Sequence, residues 1–317
     1  MVVVPTLNRK RTFGEQIAHN IPYILLCLPG VILTIIFSYV PLYGLLINFK
    51  EYNVIDGIMA SPWIGLENFR YIFASDDIYI LLRNTIGYNV ARILSTNFLG
   101  GIFFALLLYE IRSKIASKIY QTSMLLTSFI SGSCVLYIVI LLFDDVDTGI
   151  VNSLLMSFGM KEPIPFFEIG AAWPPIIIFT EFWQQAGQAA LYFFAALLAI
   201  DPCLFEAANL DGANRFKQIK YISLPELIPM GCLVLITQIG TIFSSGLGLG
   251  YFIYQISQSG SVLKAVNVFA MYTYDQMMYG SMGVSAATGL ATSLIGTILV
   301  QTVNSIVKKI NAENALY

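Results

Sequence analysis

The chain is poor in charge. Only 11% of its 317 residues are Asp, Glu, Lys or Arg, where soluble domains carry roughly 25%. A soluble core of this size could not absorb so much apolar surface. Intrinsic disorder, a nucleic-acid platform and a plain cytosolic enzyme are therefore disfavoured. Histidine is nearly missing: His19 stands alone before the first apolar run and reads as an interfacial or solvated residue. The four cysteines, Cys27, Cys134, Cys203 and Cys232, are far apart with no C-x-x-C pair, so neither a disulfide framework nor a zinc site is suggested. There is no G-x-x-x-x-G-K-[ST] run, so the chain has no ATP-binding loop of that type. The glycine-rich run Gly246–Gly250 lacks the strand before it and the helix after it that a phosphate cradle needs, and reads as a helix end or re-entrant bend. With one histidine outside the apolar runs, a membrane-embedded enzyme has no catalytic cluster to work with.

What the chain has in abundance is apolar length: 57% of residues are hydrophobic and mean hydropathy is +0.73. A bilayer core of about 30 Å needs about 20 apolar residues as a helix. Residues 16–49, 119–143, 227–263 and 276–307 contain no Asp, Glu, Lys or Arg. Residues 84–109 are interrupted only by Arg92, and 171–200 only by Glu181. The expectation is an all-α integral membrane domain covering 1–317, with six spans at about 22–48, 84–109, 119–143, 171–199, 227–246 and 283–307. Helices are favoured because backbone groups in lipid must pair within their own segment. Strands are not, because no ten-residue dyad alternation occurs. The first run is too long for a signal peptide and is interrupted by Pro29 and Pro41, so it reads as an uncleaved helix. Trp63, Trp173 and Tyr23 fall near span ends, where amphipathic rings favour the interface.

Basic residues set orientation. Arg9, Lys10, Arg11, Arg112, Lys114, Lys118, Arg215, Lys217, Lys220, Lys308 and Lys309 fall on one side, eleven against five on the other (Lys50, Arg70, Arg83, Lys161 and Lys264). Both termini are expected on the cytoplasmic side of a plasma membrane. The opposite loops are acidic: Asp76, Asp77, Asp144, Asp145, Asp147, Glu162 and Glu168. On that side a folded cap is expected around Pro62–Phe69, a short amphipathic helix at about 150–159, and Asp275 in an outer loop.

The most informative segment is the cytoplasmic loop 201–229, DPCLFEAANLDGANRFKQIKYISLPELIP. Asp201-Pro202 closes the fourth span, since proline disfavours helix in the residue before it. A short helix then starts near Pro202, Gly212 permits a left-handed turn, and a second helical piece runs from about Asn214 to Tyr221, ended by Leu224-Pro225. Such an amphipathic elbow suits either a docking knob or a plain interfacial connection, and on these grounds alone both stay open.

Glu206-Ala207-Ala208, Gly212, Ile222, Leu224 and Pro225 fall at the spacing of the EAA motif, and in this respect the chain resembles permeases of ABC importers. Phe182-Trp183, Gly187, Tyr192 and Ala195–Leu197 resemble the maltose-type carbohydrate class. The segment Val268–Asn304 is similar to the LplB-like branch of oligosaccharide and polysaccharide permeases; Gln184-Gln185 departs from the pattern. The resemblance implies a six-helix permease with a coupling helix between spans four and five, working beside a second permease subunit of a different chain. It implies two copies of a cytoplasmic ATPase docked on the elbows, with ATP and magnesium on that ATPase and no cofactor on this chain. It also implies an extracytoplasmic binding protein that delivers the sugar. Glu206, Ala207, Ala208, Asp211, Gly212, Leu224 and Pro225 become the docking set, with Glu206 contacting the ATPase and Gly212 making the turn. Other permeases share such loops, so another small polar solute is an alternative cargo, and an ion-coupled secondary transporter is the alternative mechanism.

Ionisable groups within membranes are costly and point to function. Arg92 and Glu181 could pair between spans two and four. Glu181, Gln184 or Gln185, Gln188 and Tyr192 recur along one helical face, and Asn89, Arg92, Thr96 and Asn97 form a looser stripe. These are the candidate substrate-pathway residues; bonding between helices would use the same groups.

Overall fold

The computed structural model describes residues 13–144, 149–243 and 259–312, with Ile253 and Ser257, and side chains from Asn20 onward. The basic residues 9–11, Asp145 and Asp147, the Gly246–Gly250 run and the side chain of His19 lie outside the described residues. Among the described residues every regular element is helical, and the one extended pairing is an isolated bridge between Lys50 and Trp63.

Helix α1 (Phe13–Thr34) runs on through a wider turn at Ile35–Tyr39 and tighter turns at Val40–Phe49. The change of pitch falls at Pro41, which has no N–H and whose ring crowds the carbonyl four residues earlier. Residues 20–43 are exposed throughout. The expected cap follows. The Phe49 and Trp63 rings stack at 5.6 Å, and the Asn68 amide donates to the Asn48 and Lys50 carbonyls. Helix α2 (Glu67–Phe73) leads to α3, Ile78–Glu110, which widens at Ile93–Gly100.

The third apolar run is not one straight helix. It divides into α4 (Lys114–Ser128) and α5 (Gly132–Phe143), bent by 86°. The Ser131 hydroxyl accepts the Cys134 N–H and so starts α5 as a new helix. Helix α6 (Ile150–Ser157) is the short amphipathic piece expected. Asn152, fully buried, holds it: its amide donates to the Asp144 and Ile164 carbonyls and its oxygen accepts the Ile164 N–H. Helix α7 is Trp173–Leu198. Trp173 is no surface anchor: it is wholly buried and its indole N–H donates to the Phe166 carbonyl at 2.9 Å. Helix α8 (Pro202–Leu210) turns away by 71°. Helix α9 (Arg215–Gln218) continues through Ile219–Ser223 to Glu226, then bends 51° into α10 (Ile228–Gly240). Leu224-Pro225 thus does not end the helix. The widened turn at Ile219–Ser223 lies just before Pro225 and absorbs its missing donor. The predicted end of span five, residues 244–246, lies outside the described residues. Helices α11 (Gly260–Val266), α12 (Phe269–Tyr279) and α13 (Met282–Ile310) complete the chain. Asp275 lies in α12, not in a loop.

Among the described residues, Asn20–Phe49, Ile78–Glu110 and Met282–Ile310 are each long and apolar enough to cross a membrane, and three bent pairs pass the same test together. The central seam joins α3 to α7. Lipid tails are as apolar as leucine, so helices associate there through close van der Waals approach, which small residues permit. Gly100 and Gly101 supply that approach: a Cβ on Gly100 would stand 2.6 Å from the Phe182 ring, and one on Gly101 3.1 Å from the Phe193 ring. Ala105, Ala190, Phe193, Leu197, Leu227 and Val234 form the buried cluster at the end of the bundle that carries the elbow.

Candidate functional site

The elbow is built from local capping. The Asp201 carboxylate accepts the Cys203 N–H at 2.9 Å, which starts α8 with Pro202 at a position where a missing N–H costs nothing. That same bond holds the exposed Asp201 carboxyl below the usual carboxylate range. At the far end the Gly212 N–H donates to the Asn209 carbonyl at 3.1 Å and the Ala213 N–H to the Ala208 carbonyl at 2.9 Å. Gly212 sits at φ +72°. These are the two bonds and the left-handed residue of a Schellman ending. Asn214 then caps α9 through the Lys217 N–H.

Gln218 fixes the angle between the two short helices. It is buried, and its amide donates to Asn209 Oδ1 at 2.6 Å and to the Ala213 carbonyl at 3.2 Å. Sequence reasoning passed over it, because a glutamine among lysines reads as solvated. The elbow is tied to the bundle at the end of α3. Phe205 meets the Tyr109 ring at 5.9 Å, and Phe205 and Ile222 pack on the buried cluster described above. Arg215 Nε lies 3.8 Å from Glu110 Oε2, both half-exposed, so this pair orients more than it stabilises.

Of the expected docking residues, Glu206, Ala207, Asp211, Gly212, Leu224 and Pro225 are exposed and Ala208 is half-buried. Leu210 is 90% exposed and Phe216 74% exposed; these two were not in the expected set. Glu206 occupies the second turn of α8, beyond the terminal turn in which the helix dipole acts.

The polar residues inside the bundle divide into two groups. Arg92 and Glu181 do not close an ion pair among the described residues, although each lies within the other's field. Arg92 instead donates to Gln238 Oε1 on α10 at 3.0 Å and to Asn89 Oδ1 at 3.1 Å, while the Asn89 amide donates to the Ile242 carbonyl. Gln184 donates to the Ile130 carbonyl at 2.8 Å, and the Thr127 hydroxyl donates to the Gln184 carbonyl. The first of these satisfies the Ile130 carbonyl opened by the break between α4 and α5, and the second ties α4 to α7. At 100° per residue, Gln184 lies at the edge of the stripe, turned toward α4, whereas Gln185, Gln188 and Tyr192 share a face with Glu181. Gln188 and Tyr192 are exposed. Thr96 Oγ1 and Asn97 Nδ2 are buried and find no partner among the described residues. A polar groove of about 360 Å³ lies between α10 and α13, lined by Gly240, Thr292, Ser293, Gly296, Thr297 and Gln301. Its hydroxyls recur along one face of α13, a signal the sequence carries but an apolar-run reading ignores.

Among the described residues no group of three or more His, Cys, Asp or Glu side chains is placed to hold a metal.

The chain is 32% identical, over 98% of its length and 95% of the relative's, to the polygalacturonan/rhamnogalacturonan transport system permease protein YteP of Bacillus subtilis. It is 33% identical to Protein LplB of the same organism, over 91% of this chain and 89% of that one. Its fold matches a chain in the crystal structure of a bacterial ABC transporter involved in the import of the acidic polysaccharide alginate. The TM-score is 0.82 and identity 27%, covering 94% of this chain and 99% of the other. A second match, with TM-score 0.81 and 26% identity, covers 95% of this chain and 98% of its counterpart. It comes from the alginate transporter in complex with an alginate pentasaccharide-bound periplasmic protein. Residues 97–311 match the family model described as the inner membrane component of binding-protein-dependent transport systems, and the chain belongs to that family.

Proposed function

We propose that this chain is the permease subunit of an ATP-driven importer that takes up oligosaccharide from an extracytoplasmic binding protein. The observation that carries the reading is the exposed, self-capped elbow with Glu206, Leu210 and Asp211 on its surface. Family membership favours it over an ion-coupled transporter or a membrane enzyme, and the relatives' named cargoes favour sugar over other solutes. In this reading the chain crosses the membrane six times, with α4 and α5 forming one bent crossing and α7 and α10 one crossing each, and with both termini and the elbow in the cytoplasm. It pairs with a second permease subunit, and two ATPase copies carry the ATP and magnesium. The docking set is Glu206, Ala207, Ala208, Asp211, Gly212, Leu224 and Pro225. The pathway set is Asn89, Arg92, Glu181, Gln184, Gln185, Gln188 and Tyr192, with Gln188 and Tyr192 the members most open to solute.

The elbow transmits force because it cannot hinge freely. Gln218 locks α8 to α9, Phe205 anchors α8 on the end of α3, and Arg215 orients α9 toward Glu110. A push on α8 therefore reaches the bundle through α3, α7 and α10. The test is co-purification of the ATPase with wild-type and Glu206→Lys chains, together with ATP-dependent uptake in proteoliposomes. The charge reversal is expected to abolish both. Undiminished ATPase recovery and uptake would refute the docking role.

A further inference from the structure

A second cavity lies at the opposite end of α3 from the elbow. It measures about 540 Å³ and is lined by Arg83, Tyr88 and Gly87 from α3, Pro174 and Ile178 from α7, and Lys264 from α11. Glu110, at the elbow, is 27 residues further along α3 than Arg83, which at about 1.5 Å per residue is about 40 Å. The volume falls in the range of small-molecule clefts.

The walls are held rigidly. The Asn84 amide donates to the carbonyls of Lys264, Ala265 and Asn267 at 2.8, 3.1 and 2.8 Å, satisfying the open end of α11. The Tyr88 hydroxyl donates to the Ala265 carbonyl at 2.8 Å, which fixes its ring. The Gly170 N–H donates to Ser261 Oγ, and that hydroxyl donates to the Glu168 carbonyl. Arg83 uses Nε and Nη2 on Asn84 Oδ1, leaving Nη1 for a further bond. Among the described residues neither Arg83 nor Lys264 forms an ion pair, and the neighbouring Glu168 carboxylate engages neither. Arg83, held on Asn84, and the exposed Lys264 thus share a largely apolar cleft with a fixed aromatic ring.

Resting on the sugar-permease reading above, we propose that this cleft is an entry subsite for an acidic sugar. Arg83 and Lys264 would bind the carboxylate of a uronate unit, and Tyr88 and Pro174 would pack against its ring. A guanidinium and an ammonium suit a carboxylate, and the combination of charge with flat apolar faces fits a uronate better than a lipid phosphate, which needs no ring contact.

The test reconstitutes the complete importer in proteoliposomes. It compares trigalacturonate with its fully methyl-esterified, neutral form, so that the binding protein's own preference cancels between variants. Replacing both cations (Arg83→Gln with Lys264→Gln) is expected to cut trigalacturonate uptake about tenfold, in line with loss of charge-assisted bonds, and to leave the ester unchanged. Arg83→Lys, which keeps the charge, is expected to retain most uptake of the acid. Gly87→Leu projects into the cleft from a position where a Cβ meets nothing within 4 Å, and it too is expected to reduce uptake of the acid. Undiminished acid uptake in the double variant, or equal loss of acid and ester in that variant, overturns the subsite. So does a wild-type importer that takes up neutral oligosaccharides but neither triuronate. Absence of ATP-dependent uptake of any saccharide overturns the permease reading itself.

Discussion

Substituting Gly212 separates backbone strain from steric clash, because its surroundings are empty. A Cβ there would meet no atom within 4 Å, yet the backbone holds φ +72°. Any effect of Gly212→Ala must therefore come from the dihedral angle. A non-glycine residue in the left-handed region costs about 1–2 kcal/mol, enough to lower the population of the formed turn by a factor of about 5–30. Gly212→Asn costs less, because asparagine tolerates that region, and Gly212→Val costs more, because its branched Cβ crowds the following carbonyl. ATPase co-purification and ATP-dependent uptake should fall in the order glycine, asparagine, alanine, valine, with monodispersity of the purified chain unchanged. If alanine and valine behave as wild type, the left-handed turn is irrelevant to docking. If asparagine is as harmful as valine, bulk against a partner governs the position, not backbone geometry.

Other variants probe the bundle and the caps. Gly187→Ala would place a Cβ 2.4 Å from the Met124 carbonyl oxygen; with backbone as the obstacle, it should destabilise the protein by about 1–3 kcal/mol, read as a lower unfolding temperature in detergent. Gln238→Leu removes the acceptor that Arg92 uses at 3.0 Å; a half-buried guanidinium short of a partner should cost about 1–3 kcal/mol, and Gln238→Glu should restore stability. The Asp201 carboxyl titrates below its ordinary value in the folded elbow, so its capping contribution is complete above the unfolded pKa of about 3.9 and is lost as pH falls through the folded value. Protection of the α8 amides against exchange, relative to their intrinsic rates at each pH, should therefore fall in acid for the wild type but not for Asp201→Asn, which caps without titrating. Equal acid sensitivity in both would remove the cap from the explanation.

The parts of this structure legible in the sequence are those set by local rules. Charge-free runs announced the long helices, and Asp201-Pro202 and Gly212 announced both ends of α8. The break between α4 and α5 was hidden, because Ser131-Gly132 within an apolar run is compatible with a continuous helix until Gln184 on α7 is known to serve the carbonyl it opens. Arg92 invited pairing with Glu181 by sign alone, whereas its partners were decided by which helices α3 touches. Arg83 and Lys264, 181 positions apart, share a cleft only because Asn84 pins the end of α11 against α3.

None of residues 20–43 is buried within its own chain. Their apolar side chains face outward, toward lipid or another subunit. Substitutions there should be silent in any measurement on the solitary folded bundle and become visible during insertion and assembly. A quarantined stretch of this kind lets evolution retune companionship without disturbing the interior architecture.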